Sequence, residues 1–235
     1  MKALIVAAGF GSRLRAVSPS KPLTEVAGVP MIARVIDAAR AGGATEFVVV
    51  TGHEGERLSG FLARLDPAIT CVATPDWAQP NGHSVLTGAA VIGPERHLLM
   101  MADHLFDPEI VRSAIAAVPA ALTLAVDRNL DNPLVDLDDV TRVRTQGDRI
   151  VAIGKNLDGY DAFDCGIFCV DGRFHDALRA AIAEGRAGSI SDGVTALTQT
   201  GDARVVDVSN RWWLDVDDPR ALAQAEAHWA SALSA

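Results

Sequence analysis

The segment AAGFGSRLRAVSPSKPL, residues 7–23, directly follows the apolar run KALIV and holds two glycines, three cations and two prolines. Gly9 and Gly11 permit positive φ and let backbone N–H groups approach an anion closely. Arg13 offers a bidentate guanidinium fork, Lys21 a mobile point charge and Arg15 a third positive group. Two cations flanking a glycine-lined turn suit a triphosphate better than a single phosphate. The spacing excludes two common phosphate loops. G-x-G-x-x-G needs glycine where Leu14 stands, and G-x-x-x-x-G-K-[ST] needs glycine immediately before Lys21. A lone G-x-G is equally compatible with a surface loop carrying solvated charges.

The elements that must position this loop are read from periodicity. KALIVA (2–7), EFVVVT (46–51), ITCVA (69–73) and HLLMMA (97–102) are short, nearly continuous apolar runs, as in strands covered on both faces. Residues 31–42, 55–65 and 84–92 between them carry helical spacing, and Gly42-Gly43 supplies a stop signal. This alternation predicts a Rossmann-like doubly wound α/β sheet with a three-layer α/β/α arrangement. After Asp103 the pattern changes. A helix in PEIVRSAIAAV is followed by LTLAVD, LVDLDD, TRVRTQGDRIVAIG and DAFDCGIFCVD, which read as strands of a mixed, β-rich extension. Helices near 173–184 and 190–199, a strand ARVVDV, the segment RWWLDVDDP and a last helix over 220–233 complete the chain. With no repeat or linker, the expectation is one domain over 1–235, with 1–118 as a nucleotide-binding half and 119–235 as an acceptor-binding and second-metal half.

Composition narrows the function classes. The chain has 235 residues, 49% of them apolar, enough to fill one sizeable core. A net charge of -9 argues against general affinity for nucleic acid or anionic membranes. The N-terminus enters a strand pattern without a basic leader, and no apolar stretch approaches about 18 residues, so the expectation is a cytoplasmic protein without membrane insertion. Cys71, Cys165 and Cys169 lack C-x-x-C spacing and read as reduced packing residues.

AAGFGSRL followed by KPL resembles the signature of the nucleotidyltransferase superfamily, of the sugar-phosphate nucleotidylyltransferase type. Three further segments follow in order: QPNGHSV (79–85) resembles its base-binding segment, MADH (101–104) its first metal aspartate and WLDVDDP (213–219) its second metal site. MADHLF, AIGKNL, FDCGIFCVD and WWLDVDDP are most similar to the CTP:inositol-1-phosphate cytidylyltransferase branch. The resemblance implies attack of an acceptor phosphate on the α-phosphorus of a nucleoside triphosphate, CTP favoured, with release of pyrophosphate. It also implies Mg²⁺ as the cofactor, held by hard oxygen ligands. A hexose-1-phosphate or phosphocholine acceptor with CTP, UTP or dTTP is the alternative within enzymes, and a nucleotide-binding regulator without catalysis is the alternative outside them. A homodimer is compatible with either.

The resemblance distributes roles by position. Ala7, Ala8, Gly9, Gly11, Ser12, Arg13 and Lys21 would hold the nucleotide, with Asn81, Gly82 and Ser84 at the base; Ser84 also reads as a cap of the helix that follows. Asp103, at the end of an apolar strand, would be a metal ligand, because Asp107 is better placed to cap the helix at Pro108. Asp215 and Asp217, two apart, share a face of an extended segment and would complete the metal site, while Asp218 caps the last helix. Lys155 would take the acceptor phosphate. Asp164 and Gly166, in FDCGIF, would face the acceptor hydroxyls, where the departure from Asn-Thr-Gly favours a polyol over a hexose. His53, His83 and His104 read as orienting groups at best, and Trp212 and Trp213 as packing.

Overall fold

The structure, a computed structural model, describes residues 1–232. In chain order, β1 (Lys2–Ala7) leads into a loop, a short hairpin of β2 (Glu25–Val26) and β3 (Val29–Pro30), and α1 (Met31–Ala41). Then come β4 (Glu46–Thr51), α2 (Gly55–Leu65), β5 (Thr70–Ala73), α3 (Asn81–Ile92), β6 (His97–Met101), β7 (His104–Phe106) and α4 (Pro108–Ala116). The second half contains β8 (Leu122–Asp127), β9 (Arg142–Gln146), β10 (Arg149–Gly154), β11 (Ala162–Val170), α5 (Gly172–Ala183), α6 (Ile190–Thr198), β12 (Ala203–Asp207), β13 (Trp213–Asp215) and α7 (Pro219–Ala232). The expected last helix thus falls on α7, and position 233 lies outside the described residues.

Nine strands form one mixed sheet in the order β5-β4-β1-β6-β11-β8-β12-β10-β9. β5, β4, β1 and β6 are parallel, and β11 joins antiparallel to β6, so strands from both halves share the sheet. At the far edge the sheet curls until β9 also pairs with the start of β11, through Ala162–Val143 and Phe163–Arg142. The near-continuous apolar character of β1 follows from cover on both faces. Ala3, Ile5 and Ala7 join the core that receives α1, α2, α4 and α7, whereas Leu4 points to the core of α3, α5 and α6. Three layers result, as the periodicity predicts.

Two sequence expectations change. LVDLDD forms no strand: Asp136 Oδ1 accepts from Asp138 N at 3.0 Å, Asn132 Oδ1 accepts from Leu134 N at 3.0 Å, and Val140 N returns to the Asp136 carbonyl. Short acidic and amide side chains capture local N–H groups and so compete with a sheet ladder. The helix expected from Ser84 begins instead at Asn81, after Pro80, and Ser84 lies buried within it rather than capping it. By contrast, Asp107 caps α4 through Glu109 N at 2.9 Å, and Asp218 accepts from Ala221 N at 2.8 Å at the start of α7.

All three cysteines are free thiols; burial pushes Cys169 up to about 11 and Cys165 well above the ordinary thiol range. Among the described residues no helix is long and apolar enough to cross a membrane.

One buried pair makes stability depend on pH. His97 and His175 lie 5.1 Å apart between β6 and α5, both almost fully buried and each with an unpartnered Nε2. Burial, with His97 and Arg179 adding repulsion, pulls His175 down to about 4; burial lowers His97 as well. The folded state therefore keeps His175 neutral where the unfolded chain binds a proton, so this stability is present above pH ~6.5 and lost towards pH 4. Urea unfolding of wild type and His175→Phe at pH 7.5 and 4.5 should show the wild type losing roughly 2 kcal/mol more than the variant on acidification.

Candidate active site

The site is assembled at the carboxyl ends of the parallel strands, where open α/β sheets bind ligands. After β1 the chain turns at Gly11, whose φ is 62°, and a Cβ there would lie 2.5 Å from Lys21 Cβ. Only glycine lets the loop close onto the lysine. Gly9 does not adopt the positive φ expected of it; its role in the turn is open space, with nothing within 4 Å of a would-be Cβ. Buried Leu14 anchors the next turn and Pro22 the one that carries Lys21. Ala7, Gly9, Gly11, Ser12, Arg13 and Lys21 line a cavity of about 230 Å³. Ala8 is buried behind it, its carbonyl accepting from His53 N at 3.0 Å. Arg15 turns away: its guanidinium sits 4.4 Å from the centre of the Phe10 ring and 2.8 Å from His53 Nε2.

Carboxylates face these cations. Asp103 lies in the turn between β6 and β7, and Asp215 ends β13, which pairs antiparallel with β7 so that Asp215 stands opposite His104. Val216 N donates to the Asp103 carbonyl at 2.9 Å and fixes the two segments together. Lys21 Nζ is 2.6 Å from Asp103 Oδ2 and also contacts Asp217, while Arg13 contacts Asp217 and Asp139. His104 Nδ1 donates to Asp103 Oδ1 at 3.0 Å and is 3.7 Å from Asp215 Oδ1.

The electrostatics follow from this packing. Burial pulls the His104 imidazole down, but the carboxylates of Asp215, Asp103 and Asp164 outweigh it and push the group up to about 9, leaving it a cation at neutral pH. Burial opposes ionisation of Asp103, yet Lys21 and His104 hold it well below the usual carboxylate range. Burial raises Asp215, with His104 acting against it.

Asp215 Oδ1 is a buried acceptor without a hydrogen-bond partner. One oxygen each from Asp139, Asp215 and Asp217 lie within 4.8 Å of one another, as do ligand atoms of Asp103, His104 and Asp215. An orphaned oxygen in an oxygen-rich set fits a hard divalent cation.

A second cavity, of about 220 Å³, adjoins the first, with Asp103 and Asp217 lining both. Lys155, directly after β10, reaches it and pairs with Asp139. Asp164 faces it with its carboxyl pushed up to about 6, chiefly by burial, although Gly166 N donates to it at 2.7 Å. Asn81 also lines this cavity, but its Oδ1 accepts from Ile190 N at 2.9 Å and so fastens α3 to α6. Gly82 and Ser84 are not brought to either cavity. A Cβ on Gly82 would stand 2.3 Å from the Gly188 carbonyl, so this glycine serves helix packing, and Ser84 is buried within α3. His83 contacts the Ala187 carbonyl rather than the site. Trp212 stacks on His228, whereas Trp213 donates from Nε1 to buried Asp127 at 2.9 Å.

Asp139 was not singled out by the sequence, because in V-D-L-D-D nothing distinguishes it from its neighbours. Gly166 has φ 74°, and a Cβ there would stand 2.3 Å from His104 Cδ2. Gly166→Ala should therefore destabilise the protein by about 1–3 kcal/mol in urea unfolding. Gly154→Ala, with nothing within 4 Å and no positive φ, should stay within about 0.5 kcal/mol of wild type.

Comparison with known proteins places this geometry. The chain is 37% identical over 227 residues to a bifunctional IPC transferase and DIPP synthase of Rubrobacter xylanophilus, covering 95% of this chain and 51% of that protein. It is 31% identical to a CMP-5'-(3-aminopropyl)phosphonate synthase of Streptomyces rubellomurinus, covering 96% of this chain and 38% of that one. The chain thus spans about half the length, or less, of these relatives. An inositol-1-phosphate CTP transferase from T. maritima has the same fold, with a TM-score of 0.86, 23% identity and coverage of 96% and 94%. So does a UDP-glucose pyrophosphorylase, with a TM-score of 0.78, 16% identity and 98% coverage of both chains. With residues 3–200 matching its family description, the chain belongs to the MobA-like NTP transferase domain family.

Proposed function

We propose that the chain transfers a cytidylyl group from CTP to a phosphorylated polyol, with inositol-1-phosphate the leading acceptor, and releases pyrophosphate. The observation that carries this reading is the junction of two cavities at Asp103 and Asp217, one beneath the glycine loop with Arg13 and Lys21, the other reached by Lys155 and Asp164. The functions named for an inositol-1-phosphate CTP transferase and for a CMP-phosphonate synthase support CTP as donor and a small phosphorus-bearing acceptor.

On this reading the triphosphate lies beneath the loop around Gly9, Gly11 and Ser12, close to the Ala7 strand end. Arg13 and Lys21 exchange their present carboxylate partners for its oxygens. Lys155 draws in the acceptor phosphate and orients it, while Asp164 accepts hydrogen bonds from acceptor hydroxyls. An acceptor phosphate oxygen then forms a bond to the α-phosphorus. The bond to the pyrophosphate oxygen breaks with its electron pair, and Arg13 and Lys21 stabilise the charge that leaves. Asp103, Asp215 and Asp217 would hold Mg²⁺, which when bound neutralises triphosphate charge.

Pyrophosphate release, measured across CTP, UTP and dTTP against inositol-1-phosphate, glucose-1-phosphate and phosphocholine, should be fastest for CTP with inositol-1-phosphate. No turnover with any pair would sink the proposal. Asp103→Ala should lower kcat by at least about a hundredfold while leaving the circular dichroism spectrum unchanged. Near-normal turnover in that variant would remove Asp103 from the reaction.

A further inference from the structure

The loop between β8 and β9 is fixed at both ends. Asp127 accepts from Asn129 N at 2.8 Å, Asn132 Nδ2 at 2.8 Å and Trp213 Nε1 at 2.9 Å. Near the other end, Val140 N donates to the Asp136 carbonyl at 2.9 Å. This bracing delivers Asp139 to the wall of the second cavity, where it meets Arg13, which lines the first and lies 126 residues earlier, and Lys155, 16 residues later. Among the described residues Asp139 is the one acidic partner of Lys155, and it shares Arg13 with Asp217. Its oxygen also lies within 4.8 Å of ligand atoms of Asp215 and Asp217, a position that a carboxylate tolerates only when cations offset the repulsion.

Arg13 and Lys155 are the cations assigned above to different phosphates, yet both rest on one anionic side chain. We propose that Asp139 is a positioning residue that stands in for phosphate, clamping the nucleotide loop to the acceptor strand until an incoming phosphate displaces it. The identity of the displacing group, the triphosphate and then the acceptor phosphate, rests on the cytidylyl-transfer reading. The displacement itself requires only an oxyanion with more charge and more acceptor oxygens than one carboxylate. Bidentate guanidinium contacts and charge favour such a ligand over Asp139.

The test is calorimetric titration of inorganic pyrophosphate in EDTA into wild type, Asp139→Asn and Asp136→Asn. Asp136 lines the same cavity but pairs with neither cation, so it controls for net charge. Asp139→Asn should bind pyrophosphate roughly three- to tenfold more tightly than wild type, the factor for removing a partly exposed ionic competitor. Asp136→Asn should stay within about twofold of wild type. Equal or weaker binding by Asp139→Asn would overturn the proposal, because a residue that only braces Arg13 would lose affinity when removed. An equal gain in Asp136→Asn would overturn it too, reducing the effect to net charge. If Asp139→Asn fails to fold by circular dichroism, Asp139→Ser carries the same expectations. Because the readout needs neither turnover nor CTP, failure of the cytidylyl-transfer reading and failure of this proposal are separate results.

Discussion

The site depends on one constraint: carboxylates gathered from distant parts of the chain must be neutralised where the fold brings them together. Asp103, Asp139, Asp215 and Asp217 converge there, and Lys21, Arg13, His104 and Lys155 are placed between them. Lys21 is central. With its side chain only 10% exposed, its ammonium holds both Asp103 and Asp217, so losing Lys21 would leave two crowded carboxylates without that cation, at a cost of several kcal/mol. A site built this way is already shaped for anions, because the cations that balance the carboxylates are the ones phosphate oxygens would claim.

The fold meets the constraint with two devices. The parallel strands end together, so that loops after β1 and β6 open into the same crevice. The small β7–β13 pairing then ties Asp215 to the His104 register and keeps the late acidic segment beside Asp103, with Trp213 anchored to Asp127 beneath. Two glycines allow the approach. Gly11 lets the loop reach Lys21, and Gly166 gives the His104 ring the space that a side chain would take.

The extension supplies the second cavity by curling rather than by forming a separate layer. β11 pairs with β6 and β8 on its two sides over Phe168–Val170 and with β8 and β9 at its start, and its irregular register against β8 between Asp164 and Phe168 spans Gly166. Asp164 is thus turned toward the site instead of being committed to a regular ladder. Similarity in fold to an inositol-1-phosphate CTP transferase and to a UDP-glucose pyrophosphorylase shows one scaffold in proteins named for different acceptors. A shared sheet therefore does not by itself fix what such a protein acts on.

By itself the sequence makes the parallel core, most helix positions, the glycine loop with its cations and the acidic segments MADH and LDVDDP legible locally, because each is a pattern of period, turn residue or spacing. It misread LVDLDD as a strand, since alternating apolar and acidic residues satisfy a period of two while their side chains capture the backbone locally. Its pattern placed Gly82 and Ser84 at the base without showing that Gly82 packs close to the Gly188 carbonyl and that Ser84 is buried in α3. Tertiary packing alone makes Asp139 hold Arg13 and Lys155, crowds carboxylates around His104 so that its imidazole is pushed up, and takes Arg15 out of the loop to Phe10. These are pairings across long stretches of chain, and their energies depend on distance and burial, which no local pattern encodes.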